Sequence, residues 1–168
     1  MVSSLRTVVA MVGILVLGQP VIYAASGQNK SSEERLIARI DREQNPGKKA
    51  RLQLHLAKIK SSEAREAYRA GNFAEGNVAL HQYLDQVGKT WATLQGADGG
   101  ARKHLGAYKE LEISLREEDR LLEDLSHRVP YPEDEPIEAI AKENRALHNQ
   151  VLEAIFPDNG SRKERSKR

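Results

Sequence analysis

Apolar residues recur at helical spacing through most of the chain. The first such stretch is EERLIARIDREQ, and Ser31 with Glu34 forms a capping-box pattern in front of it. Asn45 followed by Pro46 predicts the N-cap and first turn of a second helix. That helix is predicted to stop at Gly71, because glycine readily adopts the left-handed conformation that ends many helices.

The second and third predicted helices form a hairpin around this glycine. The second helix, residues 47–70, is expected to place Leu52, Leu56, Ile59 and Ala67 on one face. Asn72, assisted by Glu75, is the predicted cap of a third helix. That helix runs from Phe73 to about Gln95, and its apolar side consists of Phe73, Leu80, Tyr83, Leu84, Val87, Trp91 and Leu94. Gly76 and Gly88 each weaken it by about 1 kcal/mol relative to alanine, so tertiary packing must stabilise it.

Two more helices are predicted after the loop GADGG, in which Asp98 is a candidate cap. The fourth runs from about Ala101 to His127 and is expected to bury Leu105, Tyr108, Leu111, Leu115, Leu122 and Leu125. The prolines of VPYPEDEP predict an extended linker. The last helix ends at Phe156-Pro157. Its seam has the near-heptad spacing typical of coiled-coil packing and consists of Ile137, Ile140, Leu147, Val151 and Ile155.

The fold class follows from these segments. No alternating strand pattern of useful length is present, and short turns favour antiparallel neighbouring helices. The sequence therefore predicts an all-α protein, an antiparallel helical bundle of four main helices plus a short N-terminal helix.

Composition narrows the chemistry. The chain has 168 residues, enough for one domain, and no cysteine, which excludes disulfides, thiolate catalysis and cysteine-ligated zinc. Residues 27–157 carry 20 basic and 22 acidic side chains, so the alkaline pI of about 8.8 comes from the C-terminal tail. An interpretation as a nucleic-acid-binding protein from pI alone would therefore be wrong.

The two ends differ from this nearly neutral centre. Residues 1–26 have one charge, Arg6, then an apolar run, a Gly-Gln-Pro break and several small residues, which is the pattern of a cleaved secretory signal peptide. The alternative is an uncleaved membrane anchor. We expect residues 27–157 to form the helical domain and to be exported, to the periplasm or beyond. The absence of cysteine fits a bacterial envelope protein.

The tail, residues 158–168, is predicted to be disordered, because it contains no apolar residue. Its candidate polyanion-binding residues are Arg162, Lys163, Arg165, Lys167 and Arg168. It has no aromatic residue on which a base could stack, so no nucleic-acid partner is expected. Contact with a membrane is expected only through this tail or an uncleaved signal.

The hairpin turn also raises the question of a repeat. Gly71-Asn72-Phe73, with small residues at Ala64 and Gly76, resembles the turn of a tetratricopeptide hairpin over residues 60–88. The family's tryptophan, leucine and closing proline positions are occupied here by Lys60, Glu63 and Gly88.

A second copy about 34 residues further on would be LGAYKEL. Gly106-Ala107-Tyr108 there lies within a continuous helical stripe, so a plain helical hairpin is the preferred interpretation. If the hairpin does bind a protein partner, the candidate residues are Tyr68, Phe73 and Tyr83, whose alternative role is in the core.

A broader resemblance covers most of the chain after the signal. DREQNPGKKARLQLHLAKIKSSEAREAYRAGNF and LEDLSHRVPYPEDE look like segments of exported bacterial all-helical proteins of unassigned function. The resemblance implies an all-helical fold and an extracytoplasmic compartment, and it implies no mechanism.

No catalytic or metal-binding motif stands out. The histidines are His55, His81, His104, His127 and His148. None forms a His-Glu-x-x-His motif, and the single Asp-x-x-His, Asp124 to His127, falls at a predicted helix end, where a histidine complements the helix dipole. Consecutive acids at Glu117, Glu118 and Asp119 are expected to form a solvated face. We therefore expect no catalytic residue, no metal ligand, no cofactor and no small-molecule substrate.

The function predicted from the sequence is that of a non-enzymatic exported helical interaction or scaffold protein of the bacterial envelope. Its partner would be another protein or a second copy of the chain. The alternative is a periplasmic stress or metal-binding helical protein, similar to small periplasmic helical chaperones. Those chaperones carry a Leu-Thr-x-x-Gln motif, which is absent from this sequence.

Overall fold

The computed structural model describes residues 24–157, and these residues form the all-α bundle that the sequence predicts. The helices are α1 (Ala24–Arg42), α2 (Pro46–Arg69), α3 (Phe73–Gln95), α4 (Gly100–Ser126) and α5 (Glu135–Ile155). Most of the predicted signal peptide and the basic tail lie outside the described residues.

Two helical hairpins make the main body. α2 packs along α3, and α4 packs along α5. The two hairpins then meet through contacts of α2 with α4, α3 with α5 and α3 with α4. α1 contacts only α2 among the described helices. Because each hairpin turns back on itself, α2 and α4 point the same way, and their C-terminal turns lie at one end of the bundle.

The core lies between the two hairpins and contains nearly all of the apolar residues predicted for α3, α4 and α5. Leu105 is the exception, since 41% of its surface is exposed. The buried positions of α4 alternate at spacings of three and four residues from Leu125 back to Tyr108, and the same alternation continues to His104. His104 has non-helical backbone angles, φ −116° and ψ 25°. Leu105 therefore lies one position off the buried stripe, beside a kink.

α2 has two buried faces, whereas the sequence indicated one. Leu52, Leu56 and Ile59 pack against α1 in a small separate cluster with Leu36 and Ile40. The face towards the main core consists mostly of small residues, with Ala50, Leu54, Ala57, Ala64 and Tyr68 buried there. An apolar stripe identifies a buried face but not which neighbour covers it, so α1 and α3 could not be assigned to the correct sides of α2.

Ion pairs also attach α1 to α2. Lys60 Nζ lies 2.7 Å from a carboxylate oxygen of Glu33 on α1 and 3.0 Å from one of Glu63 on α2. Burial alone would lower the pKa of Lys60, but the hydrogen bonds and charges of the two carboxylates outweigh it, so the pKa is raised. The lysine therefore stays charged and bridges the two helices.

Two of the predicted helix-end signals are confirmed. The Asn45 side chain accepts a hydrogen bond of 3.0 Å from the backbone amide of Lys48, and Pro46 is the first residue of α2. Gly71 has φ +77°, the left-handed conformation expected at the end of that helix. The predicted start of the third helix at Phe73 is also correct.

Other helix-end predictions are wrong. Ser31 is inside α1, which already includes Ala24, so Ser31 and Glu34 do not cap its start. Asn72 does stand at the N-cap of α3, but its side chain makes no capping hydrogen bond. Asp98 is not a cap, and Gly99, in the left-handed conformation, stands at the N-cap of α4. Capping residues favour a helix start, but the packing of the neighbouring helices decides where the chain turns.

The linker between α4 and α5 is also different from the expectation. It is a series of turns with backbone hydrogen bonds, including one of 2.9 Å from the Glu133 amide to the Pro130 carbonyl, rather than an extended segment. The linker therefore remains compact at the end of the bundle where α2 and α4 finish.

Candidate functional site

A groove lies between the C-terminal turns of α2 and α4. We call it the α2–α4 groove, and its volume is about 330 Å³. Its lining residues come from α2, α4 and the start of the linker, and they are Arg65, Tyr68, Arg69, Leu121, Asp124, Leu125, Arg128 and Val129.

Tyr68 forms one wall of this groove and is fixed on three sides. Its ring centroid lies 6.0 Å from that of Phe73, and its hydroxyl donates a 3.2 Å hydrogen bond to Asn77 Oδ1. The ring also lies directly over Gly76 of α3. Burial, with a smaller contribution from the charge of Glu133, raises the pKa of Tyr68 to about 12. Its hydroxyl is therefore a neutral hydrogen-bonding group at ordinary pH.

The floor of the groove is apolar and its edges are charged. Leu121 is 39% exposed, and Leu125 and Val129 lie beside it. Arg69 and Arg128 form no ion pair within residues 24–157, although both stand at the groove. Such an edge suits carboxylates, because guanidinium groups form charge-assisted, often bidentate, hydrogen bonds with them.

Below the groove, Arg65 binds a buried carboxylate. Glu118 of α4 is only 6% exposed and accepts a short hydrogen bond from the Ser61 hydroxyl. Arg65 Nη1 donates to Ser61 Oγ at 2.6 Å and to Glu118 Oε1 at 3.3 Å. The prediction of a solvated acidic face is therefore wrong at Glu118, which occupies a position of the buried stripe between Leu115 and Leu122.

The buried carboxylate should make stability depend on pH. Burial raises the pKa of Glu118, although the hydrogen bond from Ser61 and the charge of Arg65 oppose the rise. A carboxyl group whose pKa is raised by folding contributes most to stability below its ordinary pKa of 4.5, and this contribution is lost as the pH rises through the raised folded value. We therefore expect Glu118→Gln to become more stable relative to the wild type as the pH rises from about 4 towards neutrality.

Urea unfolding at a series of pH values measures this difference. Glu117→Gln is the matched control, because Glu117 is exposed on the same turn of α4. The control should follow the wild-type profile. If the Glu118→Gln and wild-type profiles run parallel over this pH range, the carboxyl does not contribute as described.

Tyr83, a candidate partner-binding residue from the sequence, lies inside the bundle. Its hydroxyl donates a 2.5 Å hydrogen bond to Asn144 Oδ1, and Asn144 Nδ2 donates to the Leu115 carbonyl at 2.9 Å. Burial, with the charges of Glu118 and Asp119, raises the pKa of Tyr83 well above its ordinary value. Of the three candidate residues, Tyr68 lines the groove, Phe73 supports Tyr68 and Tyr83 is part of the core.

The polar residues missed by sequence reasoning share one signal. Asn144 and Glu118 both fall on the apolar stripe of their helices, where a polar side chain must be hydrogen-bonded or raise the free energy of the fold. The groove itself gave no such signal. Its residues come from α2, α4 and the linker, and no spacing along the chain relates Arg69 to Arg128.

The histidines do not converge on a metal site in the described part of the chain. His148 Nε2 lies 3.1 Å from Glu112 Oε1, a contact between α5 and α4, and Arg116 Nε approaches the same oxygen at 3.5 Å. Residues 24–157 contain no group of three or more histidine, aspartate or glutamate side chains that could hold a metal ion.

A second, shallower hollow of about 440 Å³ lies at the opposite end of the bundle. It is lined by Trp91, Gln95, Tyr108, Gln150, Glu153 and Ala154. Trp91 and Tyr108 pack edge to face with ring centroids 5.8 Å apart, and the Tyr108 hydroxyl donates to the Leu94 carbonyl at 3.0 Å. The aromatic groups there already have partners, so this hollow offers less to a ligand than the α2–α4 groove.

None of the helices within residues 24–157 is long and apolar enough to cross a membrane. Comparison with known proteins adds no further assignment: no family model matches the chain, and neither a curated protein nor a solved structure is significantly similar to it.

Proposed function

We propose that this chain is a non-enzymatic, exported helical interaction protein of the bacterial envelope, and that it binds a protein segment in the α2–α4 groove. The observation that carries the proposal is the combination at that groove of an apolar floor with two arginines that have no ion-pair partner in residues 24–157. Protein-binding surfaces are often enriched in aromatic residues and arginine around an apolar centre.

The helical hairpin beside the groove supports the same function. α2 and α3 form a helical hairpin with a left-handed glycine, Gly71, at its turn and with Phe73 packed against Tyr68. Here Tyr68 is both part of the hairpin packing and a wall of the groove.

The polar groups near the groove support binding rather than catalysis. Glu118 is already hydrogen-bonded to Ser61 and paired with Arg65. Asp124 lines the groove without a second acid, a histidine or a nucleophile among the other lining residues. General acid–base catalysis requires groups that converge on one reacting atom, and the lining residues supply guanidinium groups and apolar surface instead.

Site-specific photo-crosslinking tests the proposal. A benzophenone side chain replaces Leu121 in the groove in one variant, and Val78 on α3, which is 58% exposed, in a control variant. Both variants are irradiated in cells that express the chain. We expect one defined protein to be linked to position 121 and not to position 78, and the adduct to be lost when Arg69 and Arg128 are both replaced by Glu. Equal labelling at both positions, or none at position 121, would contradict the proposal.

A further inference from the structure

The groove and the α4–α5 linker are complementary surfaces at the same end of the molecule. We propose that the α2–α4 groove receives the linker of a second copy of this chain, so that the protein forms a two-fold symmetric dimer. This inference rests on the proposed function, because it names the partner that occupies the same groove.

The linker and the start of α5 carry an exposed aromatic ring and negative charges, which are opposite in sign to the groove arginines. Tyr131 is 79% exposed, more than the other large apolar side chains of residues 31–157. The segment that begins with it, YPEDEPIE, carries four acids and no basic residue. Glu135 and Glu138 are exposed in the first turn of α5. The linker and the first turn of α5 together therefore present an unburied aromatic ring followed by accessible carboxylates.

The groove offers an apolar surface and two arginines to these features, although one acid, Asp124, also lines it. Leu121, Leu125 and Val129 form an apolar floor that can cover a tyrosine ring. Arg69 and Arg128 stand at the edge without a carboxylate partner in residues 24–157. Buried tyrosine and arginine side chains often carry much of the free energy of protein association, and complementary charges add specificity and speed the encounter.

The positions of the two surfaces favour a symmetric dimer. Val129 lines the groove, and Tyr131 follows it by two residues, so the exposed ring of Tyr131 lies close to the edge of the groove. Two complementary surfaces that lie side by side on one molecule can pair reciprocally with those of a second copy about a two-fold axis. Each copy can then insert its linker into the groove of the other, and the contact forms twice.

Other segments of the chain fit the groove less well. The molecule's own Tyr131 does not fill it, since most of that ring is exposed. Residues 158–168 carry five basic and two acidic side chains, which is the same sign of charge as the groove arginines. A second copy's linker supplies both the opposite charge and an aromatic group.

A charge-exchange experiment tests the dimer with the purified chain. One variant carries Arg69→Glu and Arg128→Glu in the groove, and the other carries Glu135→Lys and Glu138→Lys at the start of α5. Each variant alone opposes like charges at both contacts, so its self-association should weaken about tenfold or more. In an equimolar mixture both contacts of the mixed dimer pair opposite charges, and association should return. Sedimentation equilibrium over a wide concentration range measures all three samples.

Two further variants complete the experiment, one as a control and one as an independent test. Arg102→Glu with Lys109→Glu reverses two exposed charges of α4 that form no ion pair within residues 24–157, and it should associate like the wild type. Tyr131→Ser removes the exposed ring without touching a packed residue, so the test remains decisive if a charge variant fails to fold. It should also weaken association about tenfold.

The outcomes separate the two proposals. A wild-type chain that stays monomeric at every concentration, or a mixture in which association does not return, contradicts the second-copy proposal. If position 121 then crosslinks to a different protein, the proposed function stands and only its partner changes. A monomer that also gives no crosslink at position 121 contradicts both.

Discussion

Replacing Gly76 by alanine is expected to destabilise the protein by about 2 kcal/mol, whereas the same change at Gly88 should stabilise it by about 1 kcal/mol. A Cβ atom on Gly76 would lie 2.5 Å from Cδ2 of Tyr68 and 2.7 Å from its Cε2. The ring cannot easily move away, because Phe73 and Asn77 hold it. A Cβ atom on Gly88 meets nothing within 4 Å.

The two glycines are controls for each other, because both lie in α3 and both gain the same helix propensity on mutation. Urea unfolding of the two variants measures the change in the free energy of unfolding. If both substitutions stabilise the protein, Tyr68 does not pack on Gly76 as described. In that case the wall of the α2–α4 groove would also be incorrectly located.

Asn144→Ala should lower the free energy of unfolding by about 3 kcal/mol, because it leaves buried polar groups without their partners. Asn144 is completely buried in α5 and joins two other helices. Its Oδ1 accepts from the Tyr83 hydroxyl of α3, and its Nδ2 donates to the Leu115 carbonyl of α4. Asn149→Ala, at an exposed position of the same helix, should change stability by less than about 0.5 kcal/mol.

A double-mutant cycle with Tyr83→Phe isolates the hydrogen bond between the two side chains. Each single variant leaves the other partner buried and unpaired, so the double variant should lose about 1 kcal/mol less than the sum of the single losses. Additive losses would mean that the contact between Tyr83 and Asn144 does not contribute to stability.

The helical content could be predicted from the sequence because helix formation depends on short-range spacing. The start of α2 at Asn45 and Pro46 and the turn at Gly71 are local arrangements of a few residues, and both are present as predicted. Ser31 and Asn72 show the limit of such signals. Their side chains are equally suited to capping, yet neither begins a helix with a side-chain cap, because the energy of one cap is small compared with that of helix packing.

The candidate site was much less accessible to sequence reasoning. Tyr68 was identified as a candidate partner residue and does line the groove, but Tyr83 is an interior residue. The charged neighbours of Glu118 predict a solvated surface, whereas its position three residues after Leu115 and four before Leu122 places it on the apolar stripe of α4. Arg69 and Arg128 were not singled out at all, since their importance comes only from the relative position of α2 and α4.

The sequence by itself determined that this protein is a bundle of amphipathic helices. It also determined roughly where most of the helices lie along the chain and which face of most of them is apolar. Those properties depend on contacts between residues three and four positions apart, and the chain carries them before it folds. Only the tertiary structure decided that α1 lies on α2, that Glu118 and Asn144 are buried, and that Arg69, Arg128 and Leu121 line one groove. These features depend on which helices become neighbours, and that choice is made by packing and desolvation over the whole core.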